Sequence, residues 1–159
     1  MKSACSKWLV VEEKITGDIV GMTILEDIIV NEETEELDDM LKPVFGMLDA
    51  LYLSYVDDKE LFISGEVCVY SVSGIKKGYN GKGIGIVLAG QAVELGRFRG
   101  YDSMVVAVTG LISQGIMRDK HGFTPHKSYL YRDFEFNGQK IFNNIPDKDL
   151  SCILMESHL

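Results

Sequence analysis

Three features of the sequence predict an α/β fold in which helices cover the faces of a mixed sheet. Short runs rich in Val, Ile, Tyr and Phe alternate with helix-period segments along the chain. A continuous apolar strand, Met104-Val105-Val106-Ala107-Val108, follows one of those helices, as the second strand of a parallel pair follows its crossover. A glycine-rich stretch joins the preceding strand to that same helix. Such strands and helices each have an apolar side to bury, and stacking helices on a sheet buries both.

The elements read in order as follows. Trp8 to Val11 and Ile19 to Val30 are extended runs joined by a turn at Thr16-Gly17-Asp18, a β-hairpin. Asn31 or Thr34 caps a helix whose first turn carries Glu32, Glu33, Glu35 and Glu36 at its positive dipole end. Leu37, Met40, Leu41, Val44, Leu48 and Leu51 follow at helical spacing, and Pro43 is expected to kink or split that helix. After a loop at Asp57-Asp58-Lys59, Leu61 to Val72 is extended, with a bend expected at Gly65. Ile84, Val87, Leu88, Ala92 and Leu95 mark the next helix, closed by Gly96 to Gly100. Beyond the apolar strand, Leu111 to Lys120 is a short helix ended by Gly122. Residues 127–134 and 139–142 flank Asn137-Gly138, a strong hairpin signal. Pro146 to Asp149 is a loop, and Ser151 to Glu156 a last strand.

With 159 residues, the chain suits one domain, 1–159, long enough to bury a sizeable core. Apolar residues at 46% and charged residues at 25% place it among globular proteins, not disordered ones. A net charge of -8 argues against a nucleic-acid partner. It suits a cationic small substrate such as an amine, and equally serves solubility. Cys5, Cys68 and Cys152 are odd in number and far apart, so neither a disulfide framework nor a metal site is expected, and a reducing cytoplasm is the default. No apolar run approaches the roughly 20 residues that span a bilayer. Glu12, Glu13 and Lys14 interrupt any signal-peptide core, so no membrane association is expected.

Chemistry concentrates at Gly74 to Gly85, where Gly74, Gly78, Gly81, Gly83 and Gly85 precede or open a helix. Glycines let backbone approach a ligand, and a helix N-terminus presents unpaired N–H groups and a positive dipole end, together an anion site. Lys76, Lys77 and Lys82 add positive charge there. A turn that binds nothing is the plain alternative, though it leaves the conformational cost of five glycines without a return. A P-loop lacks its Gly-Lys-Ser/Thr tripeptide, and Gly81-x-Gly83-x-Gly85 is not a dinucleotide-binding GxGxxG.

Asn80-Gly81-Lys82-Gly83-Ile84-Gly85 resembles the R/Q-x-x-G-x-G/A signature of the GNAT N-acetyltransferases, matching at Gly83 and Gly85 and departing at Asn80. Val69 to Ile75 looks like the family's fourth strand, which splays from the fifth, here Tyr101 to Val108, to admit the pantetheine arm. His121-Gly122-Phe123 resembles its helix-closing Leu-Gly-Phe. Tyr131-Arg132-Asp133-Phe134, Asn137-Gly138 and Ile141-Phe142 are similar to the tail of the arylalkylamine (dopamine-like) branch. The resemblance runs from about Lys7 to the C-terminus. It implies a GNAT-like mixed sheet with helices on both faces and acetyl-CoA as co-substrate, held by Ile75, Lys77, Asn80, Gly81, Lys82, Gly83, Ile84 and Gly85. It implies acetyl transfer to a primary amine, an arylalkylamine above others.

The family begins with a strand and two helices before the hairpin that here starts at Trp8, so those elements are expected to be missing, and binding of acetyl-CoA is expected to exceed turnover. By the same resemblance the Ile75 amide polarises the acetyl carbonyl. The Tyr that many members use to protonate the thiolate falls at Arg118. Ser113-Gln114 matches the Ser-Gln pair of the arylalkylamine branch, which makes Ser113 a candidate catalytic residue. An extra residue between Ser113 and Phe123 would turn it by about 100°, and a Ser at a helix start also caps its own backbone. Tyr70, Tyr129 and Tyr131 could line an amine pocket or pack in the core. His121, His126 and His158 have no metal-ligand spacing. A GNAT acting on a protein amine, or a non-catalytic CoA-binding module, are the competing readings.

Overall fold

The computed structural model describes residues 6–28, 38–58, 65–145 and 150–159. Strands β1 (Lys7–Glu12), β2 (Ile19–Asp27), β3 (Val67–Ile75), β4 (Ser103–Val108), β5 (Thr124–Leu130) and β6 (Ser151–His158) form a six-stranded sheet in the order β1-β2-β3-β4-β6-β5. β3 and β4 pair in parallel, and every other neighbouring pair is antiparallel. The sheet is therefore mixed, and its parallel step is made by the crossover helix α2 (Ile84–Arg99).

α1 (Lys42–Asp57) lies on one face. Its Met47, Leu51 and Tyr55 bury against Val67 and Val69 of β3, Val105 of β4 and Leu154 of β6. α2 and α3 (Leu111–Gly115) lie on the other face, with Ala89, Ala92 and Val93 packed on Cys68, Tyr70, Met104 and Val106. Alternate residues of β3 and β4 thus feed two cores, which is why both strands read as continuous apolar runs.

Several expectations shift. Pro43 does not kink a helix. It sits in the first turn of α1, where a residue without an N–H leaves no bond unmade. Met40 and Leu41 consequently precede the helix, in a turn closed by Leu41 N–H on the Asp38 carbonyl at 2.8 Å. Gly65, at φ 88, lies ahead of β3 rather than bending it. Residues 139–142 form no strand. Asn137 (φ 51) and Gly138 (φ 74) make the expected tight turn, but pairing stops at one bridge, Phe136 with Gln139. The strand before it, β5, pairs instead with β6. Cys5, Ile29 to Leu37 with its caps, Lys59, Leu61 to Ser64 and Pro146 to Asp149 lie outside the described residues.

Candidate cofactor and acceptor site

The parallel ladder between β3 and β4 ends at Val69 opposite Val105, although β3 runs on to Ile75 and β4 to Val108. A bulge opens the gap. Tyr70 stands opposite Leu25 and Val72 opposite Ile24, so Ser71 is an extra residue and β3 bends there. Past the bulge, the Lys76 N–H donates to the Val20 carbonyl at 2.9 Å, which sets the alternation along β3. Gly74 and Val72 direct their backbone groups to β2, while Ser73 and Ile75 direct theirs into the gap. The Ile75 amide, expected to meet the acetyl carbonyl, lies on the gap side.

On the opposite edge the Ser103 N–H donates to the Glu66 carbonyl at 3.2 Å, so Ser103, Val105 and Ala107 turn their amides toward β3. Ala107 is the first of these beyond the paired stretch. Tyr52, carried on α1, packs against the core on that face of the sheet. Burial pushes its phenol above its ordinary range. Tyr52 was not singled out from sequence. Its spacing from Leu48 and Tyr55 marks only the buried stripe of a helix, and nothing local signals that β4 has lost β3 as a partner by Ala107.

The glycine loop hangs from the end of β3. Gly78 (φ 92), Gly81 (φ 76) and Gly83 (φ 78) take the left-handed conformation, and a Cβ placed on any of them would meet nothing within 4 Å. Their backbone faces are therefore open. Gly83 is the N-cap of α2 without a side-chain cap, and its carbonyl takes the Ile86 and Val87 N–H groups at 3.1 Å. The Ile84 and Gly85 amides precede the first intrahelical acceptor and are left for another ligand. Gly85 has no positive φ. It lies in the first turn, where a Cβ would touch Ile116 at 4.0 Å. Lys76 is engaged by Asp18 at 2.6 Å, and Lys82 lies over the Tyr79 ring at 4.5 Å. Asn80, Lys77 and Lys82 are in the loop or beside it, so the structure brings the expected cofactor residues together.

On the α1 side, at the end of β4, lies a cavity of about 380 Å³. It is walled by Val44, Met47 and Leu48 of α1, by Thr109 and Gly110, and by Tyr131, Phe142, Ile145 and Cys152. Side-chain donors fix the rim. Tyr131 Oη donates to the Thr109 carbonyl at 2.6 Å. The buried Gln114 Nε2 donates to the Ser151 carbonyl at 2.9 Å and reaches that of Val108 at 3.4 Å. Ser113 Oγ donates to the Gly110 carbonyl at 2.8 Å, the self-capping arrangement open to a helix-start Ser. The extra residue after Ser113 is taken up by a π turn at Ile116–Lys120 that continues α3. Arg118 sits on that turn, exposed and paired with Asp119 at 2.7 Å.

Of the three tyrosines, Tyr131 lines the cavity, Tyr129 stacks edge-on against Phe134, and Tyr70 packs on the α2 face, away from it. Phe134 and Phe142 complete an aromatic wall with ring centroids 5.9 Å apart. Burial pushes the Cys152 thiol, at the cavity wall, up to about 12. The histidines are dispersed: His121 on the Ile86 carbonyl, His126 beside Asp58 and His158 beside Ser103. No group of His, Cys, Asp and Glu among the described residues could hold a metal ion, and no helix among them is long and apolar enough to cross a membrane.

A mixed sheet splayed between its two parallel strands, with a glycine turn at one end of the gap and an apolar cavity at the other, defines this class of α/β domain. By likeness to solved structures, the chain has the fold of the GNAT N-acetyltransferases. The C-terminal condensation domain of Ebony, in complex with beta-alanyl-dopamine, superposes with a TM-score of 0.84 at 15% identity, over 96% of this chain and 72% of that one. Arylalkylamine N-acetyltransferase 2 from Aedes aegypti does so with a TM-score of 0.76 at 18% identity, over 95% and 72%. The polyamine N-acetyltransferase of Drosophila melanogaster gives 0.67 at 15% identity, over 96% and 74%. No protein-family model and no curated protein matches the sequence.

Proposed function

We propose that the chain is an acetyl-CoA-dependent N-acetyltransferase whose acceptor is a primary arylalkylamine. The observation that carries this reading is the gap itself. It begins at Ser71, where the bulge turns β3 away from β4, and it has the glycine turn at the end of β3 and the apolar cavity at the end of β4. Pyrophosphate suits the amides of Gly83, Ile84 and Gly85, with Lys77, Lys82 and the Asn80 side chain around it. A pantetheine arm laid along the gap meets the free amides of Ser73 and Ile75. The Ile75 N–H then polarises the thioester carbonyl, and the cavity holds the ring of the amine so that its nitrogen faces that carbon. Ser113 holds Gly110 at the cavity mouth, and reaching substrate would require its hydroxyl to leave that bond.

Calorimetric titration with acetyl-CoA, followed by a thiol-release assay with tryptamine and dopamine, tests the reading. Acetyl-CoA binding with slow acetylation is expected of these 159 residues. A folded chain with no affinity for acetyl-CoA refutes it.

The TM-score of 0.84 to a condensation domain holding beta-alanyl-dopamine supports a second reading, in which the amine cavity is kept but an aminoacyl thioester is the donor. Binding of dopamine without binding of acetyl-CoA would favour it.

A further inference from the structure

The two edges of the sheet are not alike. At one edge, β5 carries Pro125, Lys127 and a bulge between them, devices that keep an edge strand from pairing again. β1, at the other edge, has none of these. Trp8 to Val11 are apolar in succession, and the irregularity of the β1–β2 pair puts its extra residue, Val20, on β2, so β1 stays regular. Trp8 is 64% exposed and Val10 53%, both on one side of the strand. Trp8 pairs with Ile24, and Ile24 with Val72, itself 52% exposed, so an apolar strip runs inward from this edge. We propose that β1 is a self-pairing edge, where a second copy of this chain adds its own β1 antiparallel.

Backbone hydrogen bonds fix which groups the edge offers. The Glu13 N–H donates to the Asp18 carbonyl at 2.9 Å, so Glu13, Val11, Leu9 and Lys7 turn their backbone groups to β2. Trp8, Val10 and Glu12 therefore turn theirs outward, and no described residue bonds them there. A two-fold axis at Val10 sets Val10 opposite Val10 of the second copy, and Trp8 opposite its Glu12. Each such pair exchanges both of its N–H···O bonds. Trp8 then flanks Val10 of the second copy on the diagonal, and the apolar strips of the two sheets join.

Charge selects a second copy as the occupant. In this register Lys7 stands opposite Glu13 of the second copy, and Glu13 opposite its Lys7, all on the other side of the strands. Lys7, Glu12, Glu13 and Lys14 make residues 7–14 neutral in a chain of net charge -8, so two copies meet here without local repulsion. The gap between β3 and β4 lies further into the sheet, so pairing at β1 does not involve it.

Trp8 is the one tryptophan of the chain and so reports on its own contact. Sedimentation of the full chain from about 1 to 500 µM should show a monomer–dimer equilibrium, weak as befits a small contact, with Trp8 emission moving to the blue in step. Val10→Pro removes an outward N–H and no bond to β2, so the fold should stand while association falls at least about tenfold. Lys7→Glu and Glu13→Lys each set like charges against one another, and each should weaken self-association about tenfold. Mixed in equal amounts, the two variants regain both Lys–Glu pairs and should form a heterodimer about as tight as the parent dimer. A parent chain still monomeric at about 500 µM overturns the proposal. So does a dimer that Val10→Pro leaves intact, or a mixture that associates no better than either charge variant alone while circular dichroism shows both folded.

Discussion

Replacing Gly83 and Gly85 one at a time by Ala separates what the glycine turn does for the fold from what it does for a ligand. The two positions differ in conformation. Gly83 is left-handed at φ 78, where any L side chain is strained by about 1–2 kcal/mol. Nothing within 4 Å would meet its Cβ, so strain is the whole folding cost. For a chain of this size that lowers Tm by about 2–8 °C. Gly85 is in the first turn of α2 without a positive φ, and its Cβ would make an ordinary 4.0 Å contact with Ile116. There Ala should raise stability by about 0.5–1 kcal/mol, because it restricts the unfolded chain more than Gly does. On the proposed reading, both methyl groups would crowd an anion seated on these amides. Loss of one backbone bond to a charged group costs about 1.5–3 kcal/mol, or about 10- to 150-fold in affinity. Calorimetric titration with CoA beside thermal melting should therefore show both variants binding more weakly while their melting temperatures move in opposite directions. Parent-like CoA affinity in the two folded variants would show that the turn holds no phosphate.

Asn80→Arg installs the residue the GNAT signature favours and should tighten CoA binding several-fold, with the gain fading as salt rises, as titrations at 50 and 500 mM salt would show. Gly46→Ala places a Cβ 2.8 Å from the Phe136 ring, so the ring or α1 must shift beside the cavity-lining Met47. KM for the amine should rise while affinity for acetyl-CoA stays put. Cys152 and Cys68 are both buried, with thiols pushed up to about 12, so each carries about a thousandth of the thiolate of a free cysteine at pH 8 and should resist iodoacetamide in the native chain, as peptide mass spectrometry would show. The same two thiols are raised on folding, so their contribution is complete below the ordinary thiol value of 9.0 and is lost as pH rises from there through about 12. Tyr55 and Tyr101, raised by burial and by their bonds to Glu156 and Asp27, act in the same sense, so urea midpoints should fall between pH 8.5 and 11.

What the residues determined locally, they determined well. The apolar period placed α2, the continuous Val run placed β4 in the interior, and the glycine spacing marked the turn before α2, because each depends on a repeat or a backbone freedom written within a dozen residues. Pro43 misled because proline's missing N–H breaks a helix interior and costs nothing in its first turn, and only the tertiary start of α1 says which applies. Asn137-Gly138 made its turn, but β5 found a better partner in β6, a choice between distant strands that local turn chemistry does not encode. The bulge at Ser71, the gap that follows it and the approach of Phe136 to Gly46 all join residues far apart in sequence. Ser113 shows the same division: sequence placed it at a helix start, and only the assembled rim decided that its proton goes to the Gly110 carbonyl. The sequence by itself places most of the strands, helices and turns, since those follow from spacing and backbone freedom, but not the missing strand at 139–142. Where two strands part is settled by packing between elements, which joins residues that spacing along the chain keeps apart.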